Sequence, residues 1–116
     1  MKRTVRATDY IGKTVTMLID RPIHSRHPTY GFIYELNYGY VPHTFSPDGE
    51  ELDAYLIGID YPVSTFTGTC IAVVHRSNDH DDKLIVVPEG KNVSGEEILK
   101  ATHFQEKFFT VVILRK

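Results

Sequence analysis

Short strand-like segments dominate this sequence and limit the folds open to it. Runs rich in β-branched, aromatic and other apolar residues are separated by proline, glycine and aspartate turns. About six such strands with short connections are typical of a small closed or nearly closed barrel. The predicted strands are 13–20, 32–36, 52–60, 68–76, 83–89 and 108–114.

Residues 13–20 show the expected alternation most clearly. Val15, Met17 and Ile19 fall on one side, as a half-buried strand requires. Asp20 ends the segment on the opposite, less apolar face. The segments 1–12 and 21–31 read as a basic arm or edge strand and a proline-containing loop.

Only one helix is predicted. Ser94 can cap its first turn while Glu97 reaches back, as in a capping box. Ile98, Thr102 and Gln105 then recur about one turn apart. The fold class is therefore predicted to be mainly β with one helix (α+β), with about five to six strands in the barrel.

Length and charge narrow the functional classes. With 116 residues the chain is predicted to be one domain, 1–116. Its net charge of -2 gives no general attraction to nucleic acid or anionic membranes. No leader or membrane span is visible, so we expect a cytoplasmic protein with no nucleic-acid or membrane partner. Cys70, the only cysteine, is predicted to be a buried apolar residue.

Carboxylates are concentrated in two clusters beside strand ends, which a barrel could bring to one mouth. Crowded carboxylates raise each other's pKa unless positive charge lies among them. Divalent cations such as magnesium bind oxygen ligands of this kind, although solvated loop charge is the alternative. The clusters are Asp48, Glu50, Glu51 and Asp53, then Asp79, Asp81 and Asp82.

The segment "NYGYVPHT" followed by "DGEELDA" closely resembles the signature region of the family I soluble inorganic pyrophosphatases. The resemblance runs from about Val15 to Phe109 and is most specific over 37–53. It implies a magnesium-dependent hydrolase on an OB-like barrel, with manganese as a substitute ion and pyrophosphate as substrate. It is also compatible with a homo-oligomer.

The resemblance implies roles for residues in the signature. Asp48 and Asp53 correspond to metal ligands, and Tyr38 corresponds to a contact to phosphate or to the nucleophile. Glu50 stands where the family has an aspartate that accepts a proton from the attacking water. Asp53 belongs with Glu50 and Tyr38 in the implied catalytic group.

Two further segments extend the resemblance. In "DHDDK", Asp81 corresponds to a bridging metal ligand, Asp79 to a further ligand and Lys83 to a phosphate contact. In "IDRPIHSRHP", Asp20 takes the position of an acidic residue near the metals.

The phosphate side departs from the family pattern. The family's lysine falls at Pro28, an arginine-bearing hairpin is deleted before residue 32, and a Tyr-Lys pair becomes Phe108 and Phe109. We expect nearby basic residues to compensate, with Arg21 and Arg26 as predicted substrate contacts. Further candidates are His75, Arg76 and Lys107.

Three hypotheses follow. The first is two-metal hydrolysis of pyrophosphate. The second is a non-catalytic or altered-specificity domain of the same family that binds metal and a phosphorylated ligand. The third is an OB-type single-strand binder, suggested by seven tyrosines and six phenylalanines, for which acidic clusters carry the wrong charge.

Overall fold

A computed structural model describes residues 4–47, 49–78 and 81–115. This part of the chain forms six strands, one α-helix and a short 3₁₀ helix. The elements are the 3₁₀ helix Ala7–Tyr10, β1 (Thr14–Arg21), β2 (Asn37–Val41), β3 (Leu52–Leu56), β4 (Thr65–Arg76), β5 (Asp82–Val87), α1 (Gly95–Glu106) and β6 (Val111–Leu114).

Five strands close into a barrel in the order β1-β2-β3-β5-β4, and β4 pairs back onto β1. The β3–β5 pair is parallel, whereas the other pairs are antiparallel. The second half of β4 also pairs with β6, which extends the sheet beyond the barrel. The predicted fold class is confirmed.

Alternating side chains divide the core into two layers. Val15, Met17 and Ile19 of β1 lie in the first cluster, to which all five barrel strands contribute, so this cluster fills the barrel. Tyr55 and Ile98 belong to the second cluster, which packs the outer wall of β3, β4 and β5 against α1. Any functional group on that outer wall therefore lies beside the helix.

Two local predictions are confirmed. The Ser94 hydroxyl accepts a hydrogen bond from the Glu97 amide at 3.1 Å, and Glu97 Oε1 accepts one from the Ser94 amide at 3.4 Å. This capping box begins α1. Cys70 is fully buried in the barrel, and burial raises the pKa of its thiol to about 11.

The segment 32–36, predicted to be a strand, is instead half of a hairpin-like loop. The His27 amide donates to the Phe32 carbonyl and the Tyr34 amide to the Ser25 carbonyl, both at 2.8 Å. The two arms of the loop share the isolated bridge between Arg26 and Ile33. Pro28, at the loop tip, has no amide hydrogen with which to extend this pairing into a sheet ladder. Strand β2, which the sequence did not predict as a strand, pairs with β1 and β3.

The N-terminal segment also differs from its prediction as an arm or edge strand. Residues 7–10 form the 3₁₀ helix, and the Gly12 amide donates to the Cys70 carbonyl at 2.7 Å. Residues 1–3 lie outside the described residues. The segment caps the barrel, since Ala7 and Ile11 belong to its interior cluster.

Glycine is required at position 39, where β2 pairs with β1. A Cβ atom there would lie 1.8 Å from the Leu18 carbonyl oxygen, whereas one at Gly95 would meet nothing within 4 Å. We expect Gly39→Ala to lower the free energy of unfolding by about 1–3 kcal/mol, because the backbone must shift to make room for the methyl group. Urea denaturation should show this loss, with Gly95→Ala close to wild type. Equal stability of the two variants would contradict the prediction.

Candidate active site

A cleft of about 720 Å³ lies between the barrel wall and the C-terminal end of α1. The sequence had suggested a barrel mouth. Asp53 instead alternates with Leu52 and Ala54, which fill the barrel, so its carboxylate lies on the outer wall. The lining residues are Asp20, Arg21, His27, Tyr30, Phe32, Tyr34, Tyr38, Asp53, Arg76, Lys83, Gln105, Phe108 and Phe109.

Lys83 joins the two carboxylate segments. Its Nζ donates to Asp53 Oδ2 at 2.6 Å and to Asp81 Oδ2 at 2.8 Å. The parallel register of β3 and β5 sets Asp53 beside Lys83. The Lys83 side chain is only 3% exposed, whereas the carboxylates are about one-third exposed. A buried ammonium therefore supplies the positive charge that this pair of carboxylates requires.

Asp53 and Tyr38 have shifted proton affinities. Burial is the main cause that raises the pKa of Asp53, and the charge of Asp81 adds to it, while Lys83 and a hydrogen bond with Tyr38 oppose it. Burial and then the charge of Asp53 raise the pKa of Tyr38 well above its usual value. Tyr38 therefore keeps its hydroxyl proton near neutral pH and can act as a hydrogen-bond donor.

A buried network supports the cleft from the helix side. Arg76 donates to Glu106 through Nε at 2.8 Å and through Nη2 at 2.7 Å. Glu106 also accepts from the Tyr55 hydroxyl at 2.6 Å, and Gln105 donates to that hydroxyl at 2.6 Å. The bidentate contact fixes the plane of the guanidinium.

Arg76 links this network to the cleft. Its guanidinium lies 3.7 Å from the centre of the Phe109 ring, and Nη1 approaches Asp81 at 3.4 Å. Burial alone lowers the pKa of Arg76, but the hydrogen bonds and charge of Glu106 outweigh burial, so the net shift is upward. Arg76 is therefore a permanent cation that shares Asp81 Oδ2 with Lys83.

The predicted site residues are only partly brought together. Tyr38, Asp53, Lys83, Asp20 and Arg21 line the cleft, and Asp81 contacts Lys83.

Arg26 and Glu50 are not among the lining residues. Arg26 Nη1 donates to the Gly31 carbonyl at 2.7 Å across the loop. Glu50 is exposed, and its backbone carbonyl accepts from Ser46. Asp48 and Asp79 lie outside the described residues.

The side chains near the cleft can be compared with the ligands that the predicted magnesium ion would need. Within 4–47, 49–78 and 81–115, no three His, Cys, Asp or Glu side chains form a metal-binding group. Asp53 and Asp81 nevertheless both line a second cavity of about 150 Å³. Carboxylate oxygens are the ligands that magnesium prefers, with water and phosphate oxygens completing its shell. The ligand chemistry of Asp53 and Asp81 fits such an ion, and the remaining ligands would come from water, phosphate or other side chains.

Sequence reasoning missed Glu106 and the aromatic wall of the cleft. Glu106 follows Ile98 and Thr102 at four-residue intervals, and all three are buried. A charged residue on the buried face of a helix requires a buried partner. The position of Glu106 in the sequence could therefore have indicated a buried ion pair. The wall of His27, Tyr30, Phe32 and Tyr34 had no comparable signal, because the loop conformation brings these rings together.

The protein is a small OB-like barrel whose outer wall carries carboxylate and cationic side chains in one cleft. A family model for inorganic pyrophosphatase matches residues 8–112. The chain belongs to the inorganic pyrophosphatase family, as the signature predicted. No helix in the described residues has the length and apolar character needed to cross a membrane.

Individual relatives agree with this assignment. The chain is 33% identical over 79 residues to an inorganic pyrophosphatase of Rhodospirillum rubrum, covering 65% of this chain and 41% of that protein. It is 29% identical over 96 residues to one of Mesorhizobium japonicum, covering 78% and 51%. The chain thus spans about half or less of the length of these two relatives.

Solved structures share the fold. Inorganic pyrophosphatase from Ehrlichia chaffeensis superposes with a TM-score of 0.69 at 19% identity, covering 94% of this chain and 89% of that one. The enzyme from Helicobacter pylori gives 0.69 at 21% identity, covering 100% and 91%.

Proposed function

We propose that this protein hydrolyses inorganic pyrophosphate to phosphate in the cleft between the barrel wall and α1. The observation that carries the proposal is the Lys83 ammonium held between Asp53 and Asp81 beside Tyr38. This arrangement joins carboxylates suited to a divalent ion with a cation suited to phosphate. Family membership supports the reaction class.

Lys83 and Arg76 are the proposed phosphate contacts. An ammonium has three N–H donors, and the contacts to Asp53 and Asp81 use two of them, which leaves one for a phosphate oxygen. Arg76 also lines the cleft. We assign to Arg76 part of the role that the family gives to a lysine at the position of Phe109, because its guanidinium lies over that ring. Arg21 is a third cation on the cleft wall.

Asp53 is the proposed proton acceptor for the attacking water. A general base must lie within hydrogen-bond reach of the reacting water, and Asp53 lines both cavities. Tyr38, which keeps its proton, orients the substrate or the water. Glu50 would take part only if its exposed loop approaches the cleft.

Asp53 and Asp81 are the described residues that would hold magnesium, with Asp48, Asp79 and Asp20 as further proposed ligands. When bound, the ion supplies charge neutralisation at phosphate and a lower pKa for water in the site. The protein residues bind and orient the phosphates and accept the proton.

The test is phosphate release from pyrophosphate by the purified chain, with magnesium, with manganese and with excess chelator. We expect turnover that depends on added metal, because water near neutral pH is a poor nucleophile without a Lewis acid. Full activity in chelator would overturn the metal-assisted mechanism. Metal-dependent binding of pyrophosphate without turnover would favour the non-catalytic alternative, which the aromatic residues Phe108 and Phe109 in the cleft support.

A further inference from the structure

The outer half of the cleft is aromatic, which inorganic pyrophosphate does not require. Four rings adjoin in a row: Tyr30 lies 4.8 Å from His27, His27 lies 4.9 Å from Phe32, and Phe32 lies 6.2 Å from Phe108. The end members, Tyr30 and Phe108, are 77% and 60% exposed. Exposed apolar patches beside a polar site mark ligand or partner surfaces. We call these four residues the aromatic shelf.

The loop that carries His27, Tyr30 and Phe32 holds the central part of the shelf in place. His27 Nδ1 accepts hydrogen bonds from the amides of Thr29 and Tyr30, both at 3.0 Å. Phe32 contacts Tyr34, which is almost fully buried and anchors the loop in the core. The His27 and Phe32 rings at the centre of the shelf are therefore arranged before any ligand binds, which lowers the entropic cost of binding.

The cleft is also larger than a small anion requires. Its volume of about 720 Å³ lies within the range of roughly 300–1,000 Å³ found for pockets that bury drug-sized organic ligands. Lys83 and Arg76 line the cleft with side chains that are only 3% and 7% exposed, whereas Tyr30 and Phe108 are the most exposed rings of the wall. A ligand that matches both ends carries a phosphoanhydride and a flat aromatic ring.

We propose that the cleft binds a nucleoside di- or triphosphate, with the phosphates at Lys83 and Arg76 and the base stacked on the aromatic shelf. The proposal rests on the proposed function, since it extends the same phosphate site to a larger substrate class. Base–aromatic stacking tolerates any base because every base has a π-face. The shelf therefore selects nucleotides over simple phosphates rather than one base over another.

Calorimetric titration of the full chain with magnesium tests this without hydrolysis. The probes are the α,β-methylene analogue of adenosine diphosphate and methyl methylenediphosphonate, which has the same phosphorus group without the nucleoside. We expect the nucleotide analogue to bind at least about tenfold tighter, as one stacked base provides. Equal affinities of the two probes would overturn the proposal.

Variants separate stacking from other contacts. The double variant Phe108→Ala with Tyr30→Ala removes both exposed rings and should reduce the preference for the nucleotide analogue by about fivefold or more. Phe108→Tyr keeps a ring and should retain the preference. Tyr61→Ala is the matched control, since Tyr61 is 58% exposed and does not line the cleft. If the double variant behaves like Tyr61→Ala, the proposal fails.

The two proposals can fail separately. Pyrophosphate turnover without a preference for the nucleotide analogue would leave the proposed function standing and remove the nucleotide inference. A ring-dependent preference without phosphate release from pyrophosphate would support the nucleotide site and overturn pyrophosphate hydrolysis.

Discussion

Asp53→Asn is expected to lower pyrophosphate turnover by about two orders of magnitude or more, since it removes both a proposed metal ligand and the proposed base. The amide keeps the side-chain shape and can still accept from Lys83, which retains Asp81. Steady-state phosphate release should show a lower rate. A magnesium titration should show that a higher magnesium concentration is needed for half-maximal activity.

The same variant should not lose stability when metal is absent. Because burial raises the pKa of Asp53 in the fold, its ionised form is disfavoured relative to the unfolded chain. This unfavourable contribution is absent below the unfolded pKa and develops as the pH rises through the folded pKa. Near neutral pH, Asn removes this unfavourable contribution but also a charge that pairs with Lys83, so the melting temperature should stay close to that of the wild type. Lost activity in a stable protein is the expected signature of a functional residue.

Glu51→Gln is the matched control for Asp53→Asn. Glu51 is exposed, and its Oε2 accepts from the His43 amide at 3.3 Å, a contact that the amide of glutamine can preserve. We expect a mild effect on turnover. Equal losses in the two variants would show that the family resemblance assigns the wrong carboxylates to catalysis.

Glu106→Ala is expected to destabilise the fold by about 3–5 kcal/mol, the cost of removing the bidentate partner of a buried charge. Arg76 and Glu106 have side chains that are 7% and 3% exposed. The change also removes the acceptor for the Tyr55 hydroxyl. Urea denaturation followed by circular dichroism should show a lower midpoint.

Two variants test the cause. Glu96→Ala removes an exposed ion pair to Lys100 on the same helix and should cost about 0.5 kcal/mol or less. Combining Arg76→Met with Glu106→Leu removes both charges and should recover most of the stability lost in Glu106→Ala. A loss below about 1 kcal/mol for Glu106→Ala would mean that water reaches Arg76 and compensates its charge.

The sequence by itself determined β1, the start of α1 and the family. The alternation at Val15, Met17 and Ile19, and the capping box at Ser94, depend on neighbours within a few residues. Such patterns are legible because strand and helix periods are local properties of the chain. The signature 37–53 and its carboxylates were likewise visible as a contiguous segment.

Tertiary structure decided which charges meet. Asp53 and Lys83 are 30 residues apart and are joined by the parallel β3–β5 register. Strict alternation from Cys70, which faces the barrel interior, would direct Arg76 inward as well. The register shift between Cys70 and Ala72 moves Ala72 to the outer layer and Arg76 to the cleft and Glu106. A one-residue bulge reverses the facing of every later side chain, and only strand pairing shows where it occurs.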